Sequence, residues 1–426
     1  MNKFKFLIFP FALLFFLQVS GQDLPIGSLV IVGGGLEPDN KSVYSQMIEL
    51  AGGAEKASFA VIPSASGVSV QSYALFRSTL RSYGVKPENI HLINIAMVDD
   101  DSTTTVDEST WKNNGNDAGL AGIVRGCSAV WFTGGDQLRT MKTLLNPDGT
   151  KTLVLQAVWD VFENGGVVAG SSAGAAIMSE AMIGGGNSIG ALTHGVIQDY
   201  KGDDFPEGDG LLMTSGLGFF KLGIVDQHFS QRARIGRLIT ALFYEKARFN
   251  HGFGIDENTA LIYNGKQKIL KVAGAAGVIF INTKQASISY IQNLPKIENL
   301  TVSYLEDGDV YDFTNGTIVP VEGKKSTRGN EYYNIKNPGK TGVLSGYSTT
   351  FKDLITKNLM DNKAAEMVEN LSFYEAGAGF MVKFTKTAQS EGFYTDKPNG
   401  DDRYTVTNIV MDITPVQVSI TPLKQE

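Results

Sequence analysis

Short hydrophobic runs alternate with amphipathic stretches over residues 27–283. Four of these runs lack the polar alternation of a half-exposed strand and are rich in β-branched or aromatic residues, as buried parallel strands are. They are Leu29–Val32, Phe59–Ile62, Leu92–Ile95 and Ala129–Phe132. Between the second and third runs, Tyr73, Phe76 and Leu80 fall on one stripe of a helix predicted over Tyr73–Tyr83. The pattern predicts an α/β fold with a largely parallel sheet covered by helices on both faces.

The pattern changes from about Asn282 to the C-terminus. Short strand-like segments follow one another there, and Asn315–Gly316 is typical of a tight hairpin turn. A helical patch is predicted near Phe351–Leu371, followed by strands up to Ile420. We therefore divide the chain into a leader over residues 1–21, an α/β domain over residues 22–283 and a β-rich C-terminal region over residues 284–426.

The first 21 residues have the pattern of an export signal. Lys3 and Lys5 precede an apolar run from Phe6 to Leu17, and the small residues near Gly21 suit a cleavage site. The run is shorter than a membrane-spanning helix requires. We therefore expect a periplasmic or extracellular protein with no membrane span once the signal is removed.

Composition narrows the function classes. The formal net charge of -7 argues against binding to nucleic acid or to an anionic membrane. Cys127 is the single cysteine, so an exported chain has no disulfide to stabilise it. The hydrophobic content of 42% is sufficient for a core that stabilises the fold without a disulfide.

A Gly-x-Ser-x-Gly stretch at residues 170–174 carries the strongest chemical signal. It follows an apolar run and leads into a helix-forming one, which predicts a strand, a sharp turn at Ser172 and a helix. Such a turn exposes the serine hydroxyl and brings the amide of Ala173 to a helix start, where it can stabilise an oxyanion. Close-packed strand-to-helix junctions have similar composition, so the motif alone leaves a structural role open.

His228 is the best candidate for a base among the four histidines, the others being His91, His194 and His251. A buried strand is predicted over Gly223–Val225, which places His228 near its carboxyl end, where open α/β sheets bind their ligands. The other three lie in or beside strands or in a Gly-rich loop. A core histidine with internal hydrogen bonds is the alternative for His228.

An acid that orients the imidazole is expected after the next strand-like run, Gly252–Ile255. That run ends in Asp256 and Glu257 before the chain resumes as a strand at Thr259. Neighbouring side chains of a strand point to opposite faces, so only one of the two carboxylates faces His228. We predict Glu257 for this role, with Asp256 as the alternative, although a plain turn between strands has the same composition.

Four blocks of sequence match one family in the same order. They are Phe132–Gln137, Gly170–Ala175, Asp226–Phe229 followed by Arg232, Arg234 and Arg237, and Gly254–Ala260. Together they make the chain resemble the cyanophycinase family of serine peptidases, relatives of the aspartyl dipeptidases with a class I glutamine amidotransferase-like fold. By this resemblance Ser172 is the nucleophile, His228 the base and Glu257 its acid. The order Ser, His, Glu differs from that of the α/β-hydrolases, which argues against an esterase.

The resemblance also implies a substrate class and a set of contacts. Cyanophycin has an aspartate backbone whose side-chain carboxyls carry arginine, and the family releases β-aspartyl-arginine dipeptides from it. Fork-shaped guanidinium donors at the start of the helix predicted after His228 suit its carboxylates. Substrate contacts are expected from Gln137, Asp226, Gln227, Arg232, Arg234 and Arg237. Oxyanion donors are expected at Ala173 and at Gly135 or Asp136. A solvated helix face, with Arg234 and Arg237 as neighbours, is the alternative for the arginines.

No cofactor or metal is expected. The sequence has no cluster of metal ligands, and Gly33–Gly35 lacks the third glycine of a dinucleotide fingerprint, so we interpret it as a tight turn on the active side of the sheet. The expected partner is cyanophycin or a β-aspartyl peptide, and a homodimer is left open. We thus expect an exported serine-type exopeptidase, with an aspartyl dipeptidase-like enzyme and a non-catalytic binding protein as alternatives. For the C-terminal region, packing on the enzyme is favoured over a surface-binding or secretion role.

Overall fold

The computed structural model describes residues 26–198, 200, 205–336, 343–344, 351–375, 377–396, 402–417 and 419. The predicted export signal therefore lies outside the described residues. Within the described ranges, no helix is long and apolar enough to cross a membrane.

The bounds of the elements are as follows, in chain order. The strands are β1 Ser28–Val32, β2 Phe59–Ile62, β3 Ile90–Leu92, β4 Ala129–Phe132, β5 Val167–Ser171, β6 Ala181–Gly186, β7 Val196–Ile197, β8 Leu211–Ser215, β9 Ile224–Asp226, β10 His251–Ile255, β11 Thr259–Asn264, β12 Ile269–Gly274, β13 Gly277–Asn282, β14 Ser287–Ile291, β15 Leu294–Glu306, β16 Val310–Asp312, β17 Thr317–Val319, β18 Lys325–Ser326, β19 Met367–Glu375, β20 Ala378–Thr385, β21 Glu391–Thr395 and β22 Arg403–Gln417. The α-helices are α1 Lys41–Leu50, α2 Ser69–Ser82, α3 Ala118–Arg125, α4 Gln137–Leu144, α5 Leu153–Glu163, α6 Ala173–Ala176, α7 Ser188–His194, α8 Ile235–Tyr244 and α9 Phe351–Ile355. Pro87–Asn89 and Glu108–Asn116 form 3₁₀ helices, and Thr356–Met360 forms a π-helical turn.

The central sheet has the strand order β17-β16-β12-β11-β1-β5-β4-β2-β3 among the described residues. Strands β1, β5, β4, β2 and β3 run parallel. Strands β11, β12, β16 and β17 extend the sheet in antiparallel fashion. The predicted α/β fold with a parallel core is therefore confirmed.

Helices cover both faces of this sheet. On one face, α1 and α2 bury Val43, Met47 and Phe76 against the strands. On the other face, α3 and α5 contribute Val124 and Leu155 to a separate core. Because both faces are covered, the central strands carry continuous apolar runs.

The C-terminal region is rich in strands, as predicted. The second sheet has the order β18-β21-β22-β15-β13-β10-β9, and β14, β19 and β20 attach to its members. Strand β15 pairs with β13 and with β22, so main-chain hydrogen bonds join residues on both sides of positions 283 and 284. The division of the chain into domains at that point stays a prediction.

Some local predictions hold and others are wrong. Asn315–Gly316 lies in the turn that joins the antiparallel strands β16 and β17. The third predicted strand is shorter and earlier, because the chain leaves the sheet edge after Leu92. The predicted C-terminal helix is too long: α9 ends at Ile355, a π-helical turn continues to Met360, and Met367–Leu371 belongs to β19, which pairs with β20. Long-range strand pairing there overrides local helix propensity.

Candidate active site

Ser172 stands at a sharp strand-to-helix turn, as the motif predicts. Strand β5 ends one residue before it and α6 begins one residue after it. Its backbone has φ 54 and ψ -111, a strained conformation for a residue with a side chain. A Cβ on Gly170 would lie 2.5 Å from the carbonyl oxygen of Gly174, and one on Gly174 would lie 2.4 Å from that of Phe132. Both glycines are therefore required by close packing.

The hydroxyl of Ser172 meets the imidazole of His228. The distance from Oγ to Nε2 is 2.8 Å. His228 follows β9 and donates its main-chain N–H to the carbonyl of Gly33 at 2.6 Å. Gly34, which follows Gly33, packs against the imidazole of His228, since a Cβ on Gly34 would lie 2.2 Å from the ring. The turn after β1 therefore fixes the position of the imidazole.

Glu257 is the carboxylate that faces His228. Its Oε1 lies 2.5 Å from Nδ1 of the imidazole. Asp256 is buried and accepts the main-chain N–H of Ser230 at 2.9 Å. Burial raises the pKa of Asp256 to about 6. The two neighbouring carboxylates thus have different surroundings, and Glu257 is the one that orients the ring.

The surroundings of His228 favour its neutral form. Burial lowers the pKa of the imidazole, its hydrogen bond to Glu257 raises it, and the nearby guanidinium groups of Arg232 and Arg234 lower it, with a net pKa below the ordinary value. A neutral ring with its proton on Nδ1 donates to Glu257 and leaves Nε2 free to accept the proton of Ser172. The site is therefore prepared for general-base chemistry near neutral pH.

Two of the main-chain amides that are expected to bind an oxyanion have no protein partner among the described residues. Within the described part of the chain, the amides of Ala173 and Gly135 donate to no other protein group. A Cβ on the adjacent Gly134 would lie 3.9 Å from Oγ of Ser172, so this loop borders the nucleophile. The amide of Asp136 donates to the carbonyl of Ala65 at 2.9 Å, which removes the alternative donor considered from the sequence.

Asp226 and Arg237, both predicted to contact substrate, bind each other inside the protein. Nε of Arg237 lies 2.8 Å from Oδ2 of Asp226, and Nη2 lies 2.5 Å from Oδ1. The third nitrogen donates to the carbonyl of Gly186 at 2.6 Å. This differs from the expectation, because both side chains are buried and are bound to protein groups instead of facing a substrate.

Arg232 and Arg234 precede the helix that was predicted to carry them, since α8 begins at Ile235. Arg234 is buried and donates to the carbonyl of Gln227 at 2.6 Å. Burial lowers the pKa of its guanidinium to about 9. Arg232 is exposed and lies close enough to His228 to affect its pKa. The alternative of a solvated helix face is therefore wrong for Arg234 and Arg237.

The two glutamines of the predicted substrate site have different environments. Gln137 lies at the start of α4 and donates its side-chain amide to the carbonyl of Gly184 at 2.7 Å. Gln227 is buried, and its Oε1 has no protein partner in the described structure. A buried acceptor without a partner is unfavourable, so Gln227 keeps an oxygen to which a donor could bind.

Asn258 is a structural part of the site for which the sequence predicted no role of its own. Its main-chain N–H donates to the carbonyl of Gly34 at 2.8 Å. Its Oδ1 accepts from Nδ2 of Asn40 at 2.7 Å. Asn258 has φ 53, a backbone region where asparagine is tolerated. It connects the turn that holds His228 to the turn that carries Glu257.

A serine at a strained strand-to-helix turn, a neutral histidine and a carboxylate joined in series by hydrogen bonds have the geometry of a serine hydrolase. The family sequence model described as Peptidase family S51 matches residues 29–271. The chain therefore belongs to peptidase family S51 and is a serine-type peptidase. The resemblance to cyanophycinases inferred from the four blocks is confirmed.

The chain is also similar to several individual proteins. The cyanophycinase of Synechococcus elongatus is 29% identical over 291 residues, which are 67% of this chain and 79% of the relative. That of Geminocystis herdmanii is 29% identical over 293 residues, 67% of this chain and 93% of the relative. That of Trichormus variabilis is 32% identical over 201 residues, 46% of this chain and 60% of the relative. The crystal structure of a peptidase from an acI-B1 Actinobacterium is 22% identical in sequence and matches with a TM-score of 0.44. The match covers 68% of this chain and 99% of the chain of that peptidase.

Proposed function

We propose that this protein is an exported exopeptidase that hydrolyses cyanophycin to β-aspartyl-arginine dipeptides. The observation that carries the proposal is the hydrogen-bonded series of Ser172, His228 and Glu257. The cyanophycinase relatives, which match two thirds of the chain, support the choice of substrate. The leader pattern over residues 1–21 supports export.

In the proposed mechanism, Oγ of Ser172 attacks the scissile carbonyl while Nε2 of His228 takes the hydroxyl proton. Glu257 stabilises the imidazolium by accepting the hydrogen bond from Nδ1. The amides of Ala173 and Gly135 bind the oxyanion. The imidazolium then gives its proton to the leaving amine. A water molecule activated by the same imidazole hydrolyses the acyl-enzyme and frees the serine.

The positive charge beside His228 favours an anionic substrate. Arg232 is exposed beside His228, so its guanidinium is the one of the three arginines that is free to face a carboxylate in solution. Arg234 and Arg237 are buried and bind the carbonyl of Gln227 and the carboxylate of Asp226, respectively. We therefore assign carboxylate binding to Arg232 and a structural role to the other two.

The test uses the chain from residue 22 onward with insoluble cyanophycin, and products are identified by mass spectrometry. Release of β-aspartyl-arginine supports the proposal. Cleavage of short isoaspartyl peptides without attack on the polymer indicates an aspartyl dipeptidase-like enzyme instead. Absence of hydrolysis together with absence of labelling by a serine-directed inhibitor indicates a non-catalytic binding protein. Export is tested separately by fractionating cells that express the full chain.

A further inference from the structure

Three carboxylates lie close together where β15 ends and the chain turns towards β16. We call residues 306–309 the acidic turn. Each of its carboxylates pairs with a cation that lies further along the C-terminal region. The pairs are Glu306 with Lys352 at 2.7 Å, Asp307 with Arg403 at 2.9 Å and Asp309 with Lys324 at 2.8 Å. The acidic turn is therefore held by the chain beyond residue 320.

Glu306 is connected to the segment that carries the proposed catalytic acid. Its Oε1 accepts the hydroxyl of Tyr304 at 3.0 Å. The Tyr304 ring packs against Gly277, since a Cβ on that glycine would lie 2.4 Å from the ring. The carbonyl of Gly277 accepts the main-chain N–H of Asp256 at 3.1 Å. Asp256 directly precedes Glu257.

Asp307 reaches the other side of the same segment. Its Oδ1 accepts the main-chain N–H of Gly274 at 3.0 Å. The next residue, Ala275, donates to the carbonyl of Asn258 at 2.9 Å. Asn258 directly follows Glu257. The residues on both sides of Glu257 are thus fixed to strand ends that the acidic turn holds.

Two of the three carboxylates of the acidic turn, Glu306 and Asp309, are almost fully buried, and Asp307 is partly buried. Their charges therefore need the cations. Burial raises the pKa of Asp256, hydrogen bonds with Ser230 and Gly277 lower it, and the charge of Glu306 adds the smallest of these effects, a rise. Removing one partner of a buried ion pair leaves an uncompensated charge, which forces nearby groups to move or to change protonation. Lys352 provides the compensating charge at Glu306.

We infer that the C-terminal region positions Glu257 for catalysis, with Lys352 and Arg403 acting as positioning residues through the acidic turn. The inference rests on the proposed role of Glu257 as the acid of the site. The inference assigns a function to residues that lie beyond position 271, where the match to the family model ends.

The charged groups that face His228 are Glu257, Arg232 and Arg234. The hydrogen bond that the imidazole donates to Glu257 raises the pKa of the imidazole, and the two arginines lower it. Displacing Glu257 therefore lowers the pKa of His228 further. The rate at which Ser172 is acylated then falls. In the pH profile of this rate, the loss of activity on the acidic side moves to lower pH. A simple loss of folded protein reduces the amount of active enzyme without moving this decline.

The experiment measures labelling of Ser172 by a fluorophosphonate as a function of pH, which requires no knowledge of the natural substrate. The final extent of labelling gives the fraction of protein molecules with a competent active site. The rate constant of labelling reports how strongly the serine is activated. Lys352→Met and Arg403→Met are compared with Glu257→Gln and with Lys363→Met, an exposed control. We expect both test variants to lose about tenfold in rate constant. We also expect their acidic decline to move in the same direction as in Glu257→Gln, and Lys352→Arg to restore both properties.

Two results would overturn the inference in distinguishable ways. If Glu257→Gln moves the acidic decline but Lys352→Met and Arg403→Met keep the parent rate constant and profile, the C-terminal region has no positioning role and the proposed function stands. If Glu257→Gln itself leaves the profile unmoved, the proposed role of Glu257 fails together with the inference. The side chain of Arg403 is about one third exposed, so we expect this position to tolerate substitution. Arg403→Met therefore still tests the inference if Lys352→Met fails to fold.

Discussion

Oγ of Ser172 lies 2.8 Å from Nε2 of His228, although the two residues follow strands of different sheets. Ser172 follows β5 of the central sheet, and His228 follows β9 of the second sheet. The turn after β1 joins them: Ser172 donates its main-chain N–H to the carbonyl of Val32, and His228 donates its own to that of Gly33. The reactive pair is thus assembled where the two sheets meet.

A fluorophosphonate should add a single adduct to this protein, on Ser172. The expectation follows from the hydrogen bond to a neutral imidazole, which activates this hydroxyl above other serines. Peptide mapping by mass spectrometry locates the adduct, and Ser172→Ala should remain unlabelled. Ser171→Ala, at the preceding strand position, is the matched control and should be labelled like the parent. An adduct on another serine would contradict the assignment.

Gly34→Ala should reduce activity about a hundredfold, because the added methyl group would lie 2.2 Å from the His228 ring and push it away from Ser172. Gly34 also has φ 106. Gly53→Ala is the control, since its φ of 83 imposes comparable backbone strain but the methyl group meets nothing within 4 Å. Steady-state rates together with thermal melts separate the two effects. Equal losses in both variants would show that strain alone is responsible.

Activity should persist below pH 6.5, the ordinary pKa of histidine. The base must be neutral, so activity is lost as the pH falls through the pKa of His228, and burial places that pKa below the ordinary value. Rates measured from pH 4 to 8 with a soluble β-aspartyl peptide test this. A decline centred above pH 6.5 would mean that another group or an imidazolium stabilised by Glu257 controls the rate.

Arg237→Lys and Arg232→Lys should have opposite consequences. Lysine cannot reproduce the two-pronged bond to Asp226, so Arg237→Lys should lower the free energy of unfolding by about 3 kcal/mol. Arg232 is exposed, and its replacement should leave stability unchanged while reducing kcat/KM on cyanophycin about tenfold. Urea unfolding and initial rates measure the two quantities. A stable Arg237→Lys variant with weakened substrate binding would restore the original assignment of Arg237 to the substrate.

Local sequence was sufficient for the parts of the site that depend on local geometry. The glycines at positions 170 and 174 are required within one strand-to-helix turn, and strand alternation separates Asp256 from Glu257. The direction of Arg234 and Arg237 was not predictable, because their partners lie in an earlier strand and its following loop. The pairs of the acidic turn join residues up to 96 positions apart, as for Asp307 and Arg403. Such pairs are set by tertiary packing, which a charge pattern alone does not encode.

We propose that Ser172 cleaves cyanophycin with the help of His228 and Glu257. The release of β-aspartyl-arginine from purified cyanophycin tests this, and it is followed over time by mass spectrometry for the chain from residue 22 onward and for Ser172→Ala in the same chain. We predict steady release by the parent and a rate at least a thousandfold lower, about the loss typical of removing a nucleophile, for the variant. Release by Ser172→Ala within tenfold of the parent, or no dipeptide from either protein, would contradict the account.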